Sequence, residues 1–188
     1  MERVLHCVPP GGAHLDVGTG NGDGTALVAT ITRCFGVEYG PTSAAIAAAN
    51  GCVVVQADAR CLPFGAERFD SLTCLDVLEH IPRPAEAVGE MVRVLRTGGT
   101  LVLETPNREL LKERVLRLAR ALGFRQKQPY DVALSLAALE ALLRRAGLTI
   151  DENRPIRSWD PHPIVRAFSW SRLFRCRKRP EPRAQEDG

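Results

Sequence analysis

No stretch of the 188 residues is apolar enough, for long enough, to span a bilayer; Ala44–Ala49 and Leu134–Leu143 are too short or too interrupted. Met1–Cys7 lacks the basic start and apolar run of an export signal, so the expected location is the cytoplasm. The six cysteines, at 7, 34, 52, 61, 74 and 176, include no CxxC pair and no Cys/His cluster, which leaves no ligand spacing for structural zinc. Their even number leaves a disulfide framework formally open, but without an export signal reduced core thiols are expected. No internal repeat is present. What remains is ordinary: 45% hydrophobic and 25% charged residues exclude a disordered or collagen-like chain. A mass of 20.6 kDa suits one domain.

The net charge of +3 hides a segregation. Residues 1–107 carry 7 Lys/Arg against 12 Asp/Glu, a balance of −5. Residues 108–127 carry 7 against 2, and residues 166–183 carry 7 against 1. An acidic body thus bears two basic segments, the parts suited to an anionic partner.

Hydrophobic patterning predicts strands at Ala13–Val17, Cys34–Glu38, Cys52–Gln56, Phe69–Leu75 and Thr100–Glu104, the third of them buried on both faces. Helices are expected from Gly24–Thr30, over Pro41–Asn50 with proline at its start, and over Ala85–Leu95; Thr97–Gly99 reads as a turn. This alternation predicts a parallel α/β sheet with right-handed crossovers. Beyond residue 106, a cationic amphipathic helix is expected at Glu109–Leu122 and a Ser135-capped helix through Ala146, ended by Gly147. Leu148–Asn153 reads as a sixth strand. Phe174–Lys178 reads as an edge strand, with a helix through Ile164–Phe174 as its rival, and a polar tail begins at Arg179.

The chemistry-bearing stretch is Leu15-Asp16-Val17-Gly18-Thr19-Gly20-Asn21-Gly22. A strand entering a glycine-rich turn lets the backbone approach a nucleotide closely. The dinucleotide fingerprint GxGxxG would need glycine at position 23, but Asp23 stands there and would repel a pyrophosphate. Gly18-x-Gly20-x-Gly22 with Asp16 before it instead fits [DE]xGxGxG. Glu38 ends the second strand, where a carboxylate can accept from both hydroxyls of a ribose. Asp58 follows the third strand, suited to an adenine amino group, and Asp76 closes the fourth. All three acids fall at carboxyl ends of parallel strands, the edge where open α/β sheets bind ligands.

On these residues the chain resembles the class I S-adenosylmethionine-dependent methyltransferases, in their small-molecule type 11 branch. The strings carrying the resemblance are LDVGTGNG at 15–22, VEYG at 37–40, ADARCLPF at 57–64, FDSLTCLDVLEHI at 69–81 and LRTGGTLVLETPN at 95–107. It implies a Rossmann-like, doubly wound sheet of order 3-2-1-4-5-7-6 with strand 7 antiparallel, although that strand is only faintly visible here. It implies S-adenosyl-L-methionine as cofactor, with Asp16, Gly18, Thr19, Gly20 and Gly22 at the methionine moiety. Glu38 and Tyr39 would face the ribose, Asp58 and Ala59 the adenine, and Leu75 and Asp76 the sulfonium side. One domain, residues 1–178, is expected, with segment 108–124 inserted after strand 5 as a lid and residues 179–188 as the tail.

Methyl transfer from a sulfonium is an in-line displacement, so the protein chiefly aligns the reactants and excludes water. A base is needed only where the acceptor must lose a proton. His80, just past the fourth strand, is the candidate, with a turn-bonded structural histidine as the alternative; Tyr130 and Asp131 are weaker candidates. No metal constellation is present. The expected partner is a small acceptor, anionic or lipophilic. Segments 108–127 and 166–183 are candidates for peripheral membrane contact, the second through Phe168, Trp170, Leu173 and Phe174. No RNA-binding module is recognisable, which disfavours nucleic acid. A methyltransferase-like binding module that serves a partner protein is the alternative to an enzyme.

Overall fold

Ala13–Val17 (β1) is buried along its whole length, as befits an interior strand of a sheet covered on both faces. The computed structural model describes residues 2–106, 135–157 and 170–180. In these the elements run α1 (Glu2–Leu5), β1, α2 (Asp23–Val28), β2 (Arg33–Glu38), α3 (Pro41–Ala49), β3 (Val54–Gln56), β4 (Phe69–Leu75), a 3₁₀ turn (Leu78–His80) and α4 (Pro84–Val94). There follow β5 (Leu95–Pro106), α5 (Leu136–Arg145), β6 (Leu148–Arg157) and β7 (Trp170–Lys178). The seven strands form one sheet of order β3-β2-β1-β4-β5-β7-β6. β1 to β5 pair in parallel, and β7 is antiparallel to both β5 and β6.

Alternation along the strands builds two cores. Leu15, Leu72, Cys74, Leu101, Leu103, Phe174 and Cys176 point to the face covered by Val88 and Met91 of α4 and Leu139 and Leu143 of α5. Val102, Leu173 and Ile156 point to the other face, against Val4 and Val28. Through α4 the expected elements recur within a residue or two, whereas β5 begins at Leu95 rather than Thr100 and β6 runs on to Arg157 rather than Asn153. α5 keeps its cap, Ser135 Oγ accepting from the Ala138 amide at 3.2 Å.

Three expectations are corrected. The third strand is not buried on both faces: among the described strands it is the edge, paired with β2, with Val53 and Val55 exposed. The turn at Thr97–Gly99 lies inside β5, where pairing jumps from Phe69↔Leu95 to Ser71↔Thr100. A Cβ at Gly99 would sit 2.7 Å from Leu95 Cδ1 and 2.8 Å from the Arg96 carbonyl, so this irregularity needs glycine.

The last strand is neither faint, nor an edge, nor helical over residues 170–174. β7 is nine residues long and interior. Its Leu173 and Phe174 are fully buried on opposite faces, so they are not available to a membrane. Its basic side chains find acids: Arg177 pairs with Asp151 at 3.0 Å, Arg175 approaches Glu152 at 3.7 Å and Lys178 Nζ reaches Glu67 at 2.9 Å. The apolar–basic alternation that suggests an edge arises because one face of this strand carries ion pairs. Arg179, expected to open the tail, is tied to the Gly147 and Arg144 carbonyls at 3.0 and 2.7 Å. Segments 108–127 and 166–169, in the first of which the sequence predicts a lid-like helix, lie outside the described residues. Among those described, no helix is long and apolar enough to cross a membrane.

Candidate functional site

β1 delivers the chain to the glycine turn at the carboxyl edge of the sheet. The Gly18 and Thr19 amides both donate to the Val37 carbonyl, at 2.8 and 3.1 Å, which ties the turn to β2. Gly18 has φ +84°, and a Cβ there would fall 2.2 Å from Val77 Cγ2. Only glycine permits both the left-handed backbone and this approach. At Gly20 a Cβ would meet nothing within 4 Å, because that residue looks into open space.

That space is a cavity of about 630 Å³. Of the sequence-predicted residues, Gly18, Gly20, Glu38, Tyr39, Asp58, Ala59, Leu75, Asp76 and His80 all line it. Asp16, Thr19 and Gly22 do not; they stand behind the turn. The Asp16 carboxylate is buried and accepts from Thr25 Oγ1 at 2.6 Å and Thr73 Oγ1 at 2.7 Å, and burial pushes its pKa up. Thr19 Oγ1 donates back to the Asp16 and Val37 carbonyls, and Gly22 packs against Ala47 and Cys52. Tyr130 and Asp131 lie outside the described residues.

The carboxylates lining the cavity are held differently. Glu38 accepts from the Gly20 amide through Oε2 and from the Gly40 amide through Oε1, each at 2.8 Å. Two backbone donors thus hold it in place and leave lone pairs for a ligand. Asp58 is gripped by Arg60, whose amide, Nε and Nη2 bond it at 2.6–3.1 Å. Those hydrogen bonds hold its carboxyl below the usual range. Asp76 has φ +54°, a left-handed conformation that aspartate tolerates better than most residues, and its amide donates to the Glu104 carbonyl at 3.1 Å. His80, on the 3₁₀ turn, sits with Nε2 3.9 Å from Oε1 of the buried Glu79.

Sequence reasoning missed Arg60, which lines the cavity, and Glu104, which does not line it but ends beside Asp76. Burial, reinforced by the charge of Asp76, pushes Glu104 up to about 7. The rule that found Glu38 and Asp76, an acid at the carboxyl end of a parallel strand, applies equally to Glu104 at the end of its apolar run. Nothing in the local pattern flags Arg60, whose role comes from folding back onto Asp58. Three carboxylates against one already engaged guanidinium make this a cavity for a cation or a neutral polyol, and a poor one for a pyrophosphate.

Comparison with known proteins agrees with this geometry. Residues 15–103 match a family model described as a methyltransferase domain. The chain is 30% identical over 173 residues to the ubiquinone biosynthesis O-methyltransferase of Bordetella bronchiseptica, covering 84% of this chain and 69% of that protein. It is 32% identical over 169 residues to the enzyme of the same name from Xylella fastidiosa, covering 81% and 67%. In fold it is similar to an S-adenosylmethionine-dependent methyltransferase from Methanosarcina mazei, with a TM-score of 0.79 at 16% identity over 96% of this chain and 99% of that one.

Proposed function

We propose an acceptor for a chain that belongs to the class I, type 11 S-adenosylmethionine-dependent methyltransferases: a hydroxyl group on a small, lipophilic molecule. Methyl transfer from S-adenosylmethionine is the chemistry of this family and of this enzyme. The acceptor reading is carried by one observation. His80 shares a single cavity with the cofactor-facing acids and with an apolar wall of Leu75, Val77, Ile81 and Pro82. The names of the Bordetella and Xylella relatives support oxygen as the acceptor atom.

The residues fit the cofactor. Glu38, with both oxygens anchored from behind, is set to accept from the two ribose hydroxyls; Tyr39 stands next to it. Asp58 and Ala59 take the adenine side. The cavity-lining backbone of Gly18 and the open space at Gly20 admit the methionine moiety, with Asp16, Thr19 and Gly22 bracing the turn from behind. Leu75 and Asp76 would lie on the sulfonium side, and the negative cavity would favour its charge over that of a phosphate-bearing nucleotide. Bound S-adenosylmethionine supplies an electrophilic methyl group whose sulfur leaves with the carbon–sulfur electron pair as a neutral thioether.

The chain's own residues do the rest. The apolar wall excludes water and aligns the acceptor oxygen. His80 would take the proton of the acceptor hydroxyl, and the Glu79 carboxylate would stabilise the imidazolium that results.

The test is turnover of methyl-labelled cofactor with matched lipophilic phenols and amines, alongside calorimetric titration of the cofactor. Phenol methylation is expected. His80→Ala should lower kcat about 100-fold, the lower end of general-base effects, with cofactor affinity changed less than threefold. Methylation of amines alone, or a His80→Ala variant of undiminished kcat, would overturn the reading.

A further inference from the structure

One buried titratable side chain takes no part in the chemistry above. His14 lies at the centre of β1, fully buried, on the sheet face opposite α4 and α5. That face is polar at the middle of the sheet: His14 and Asp16 of β1 stand in register with Ser71 and Thr73 of β4, none more than 6% exposed. His14 Nδ1 is 2.8 Å from Ser71 Oγ, and Nε2 is 2.9 Å from Thr73 Oγ1. Thr73 Oγ1 in turn is 2.7 Å from Asp16 Oδ1, and Asp16 Oδ2 is bonded by Thr25 of α2.

The protons along this chain can be placed one by one. Burial raises the Asp16 pKa, and the bonds from the two hydroxyls oppose that rise. In the ionised form, which those bonds favour, Asp16 has no proton, so Thr25 and Thr73 both donate to it. Thr73 has then spent its single proton and must accept from His14 Nε2–H. The ring is neutral, so Nδ1 carries a lone pair and Ser71 donates to it. Burial pushes His14 down to about 4, in keeping with a neutral ring at physiological pH.

We infer that His14 is a positioning residue for the cofactor site: as a neutral, Nε2-protonated ring it holds the Thr73 hydroxyl onto Asp16. That carboxylate ties the strand entering the glycine turn to the helix leaving it, and ties both to β4, which ends at Leu75 just before Asp76. One row of hydrogen bonds thus sets the spacing between the two walls of the cavity that Gly18 and Gly20 on one side and Leu75 and Asp76 on the other provide. Each donor in the row has one acceptor, so removing His14 frees Thr73 to turn away from Asp16. The inference rests on the reading that the turn holds the cofactor.

Two measurements test it. In the first, the full-length protein with ¹⁵N-labelled histidine is examined by NMR at pH 7, where the two neutral tautomers give distinct nitrogen–proton coupling patterns. The Nε2-protonated form is expected for His14. The Nδ1-protonated form, which follows if Asp16 carries a proton and the row runs in reverse, would overturn the inference, as would an imidazolium. In the second, S-adenosylmethionine is titrated into wild type, His14→Leu, Thr73→Val and the double variant. Each single change should weaken binding about tenfold, and the double variant should be no weaker than either, because the two residues act through one carboxylate. Single variants within twofold of wild type, or losses that add, would overturn it. A wild-type protein that fails to bind the cofactor would sink the site reading instead, and the tautomer would still decide the hydrogen-bond row. The tautomer also decides the matter if His14→Leu does not fold.

Discussion

Glu38 and Glu104 end two parallel strands of one sheet, β2 and β5, yet they are held by different means. Glu38 is fastened by the amides of Gly20 and Gly40, from turns that follow β1 and β2 directly. Glu104 is paired in register with Leu75 on one side and with Leu173 of β7 on the other, and its burial beside Asp76 raises its pKa to about 7. The side proposed for the cofactor is therefore built from backbone donors supplied by short, local turns. The opposite side depends on a strand that arrives some seventy residues later and inserts between β5 and β6. A loop that donates N–H groups needs only its glycines in place; a buried carboxyl needs the whole sheet.

Three changes sharpen that contrast. The largest effect is expected from Glu38→Ala, which removes the acceptor for both amides and, on the proposed reading, for the ribose. Charge-assisted hydrogen bonds are worth about 1.5–3 kcal/mol each, so affinity for S-adenosylmethionine should fall by roughly 100-fold or more, while circular dichroism reports an intact fold. Calorimetry that found binding within threefold of wild type would end the case for Glu38 at the ribose.

The second change acts on the other half of the sheet. Lys178 Nζ donates to the Leu95 carbonyl at 2.8 Å and to Glu67 at 2.9 Å, clamping the end of β7 onto the irregular start of β5. Lys178→Met keeps the aliphatic stem and leaves that carbonyl without its buried donor, at a cost of about 1–3 kcal/mol. Denaturant unfolding should register this loss, and hydrogen exchange should rise in β6 and β7 before β1 and β2. Equal acceleration across the sheet would mean that its two sides unfold as one unit.

The smallest effect is a dependence on pH. A carboxyl raised from its ordinary range to about 7 binds more protons when folded than when unfolded. Its contribution to stability is fully present below its unfolded pKa and is lost as pH rises through about 7. Glu104→Gln removes that loss. The variant should match wild type near pH 4.5 and melt higher at pH 8.5, each kcal/mol of relieved cost being worth about 2–4 °C in a domain of this size. A variant that melts lower at pH 8.5 would show that the ionised carboxylate is stabilising there.

How far the sequence could be read follows from the same contrast. Asp16, Gly18 and Gly20 stand out because a strand that must turn sharply requires particular residues at fixed spacing. Even so, Asp16 is aimed away from the cavity, which its place in the motif does not reveal: side-chain direction depends on Thr25 and Thr73, one of them 57 residues away. Cys52–Gln56 has the composition of a doubly covered strand yet ends at the sheet edge, because burial is set by what lies beside a strand as well as by what it is made of. β7 is obscured by its arginines, whose acidic partners sit on β6.

By itself, then, the order of residues determined the alternation of strands and helices through 106, the glycine turn, and the line of acids at the carboxyl ends of the strands. These are local matters of backbone geometry and hydrophobic period. Only the tertiary structure decided that Asp16 braces the site from behind, that Arg60 engages Asp58, that Glu104 is buried beside Asp76, and that His14 closes a hydrogen-bond row through the sheet. Each of those depends on desolvation or on a partner remote in the chain, and neither exists until the strands have paired.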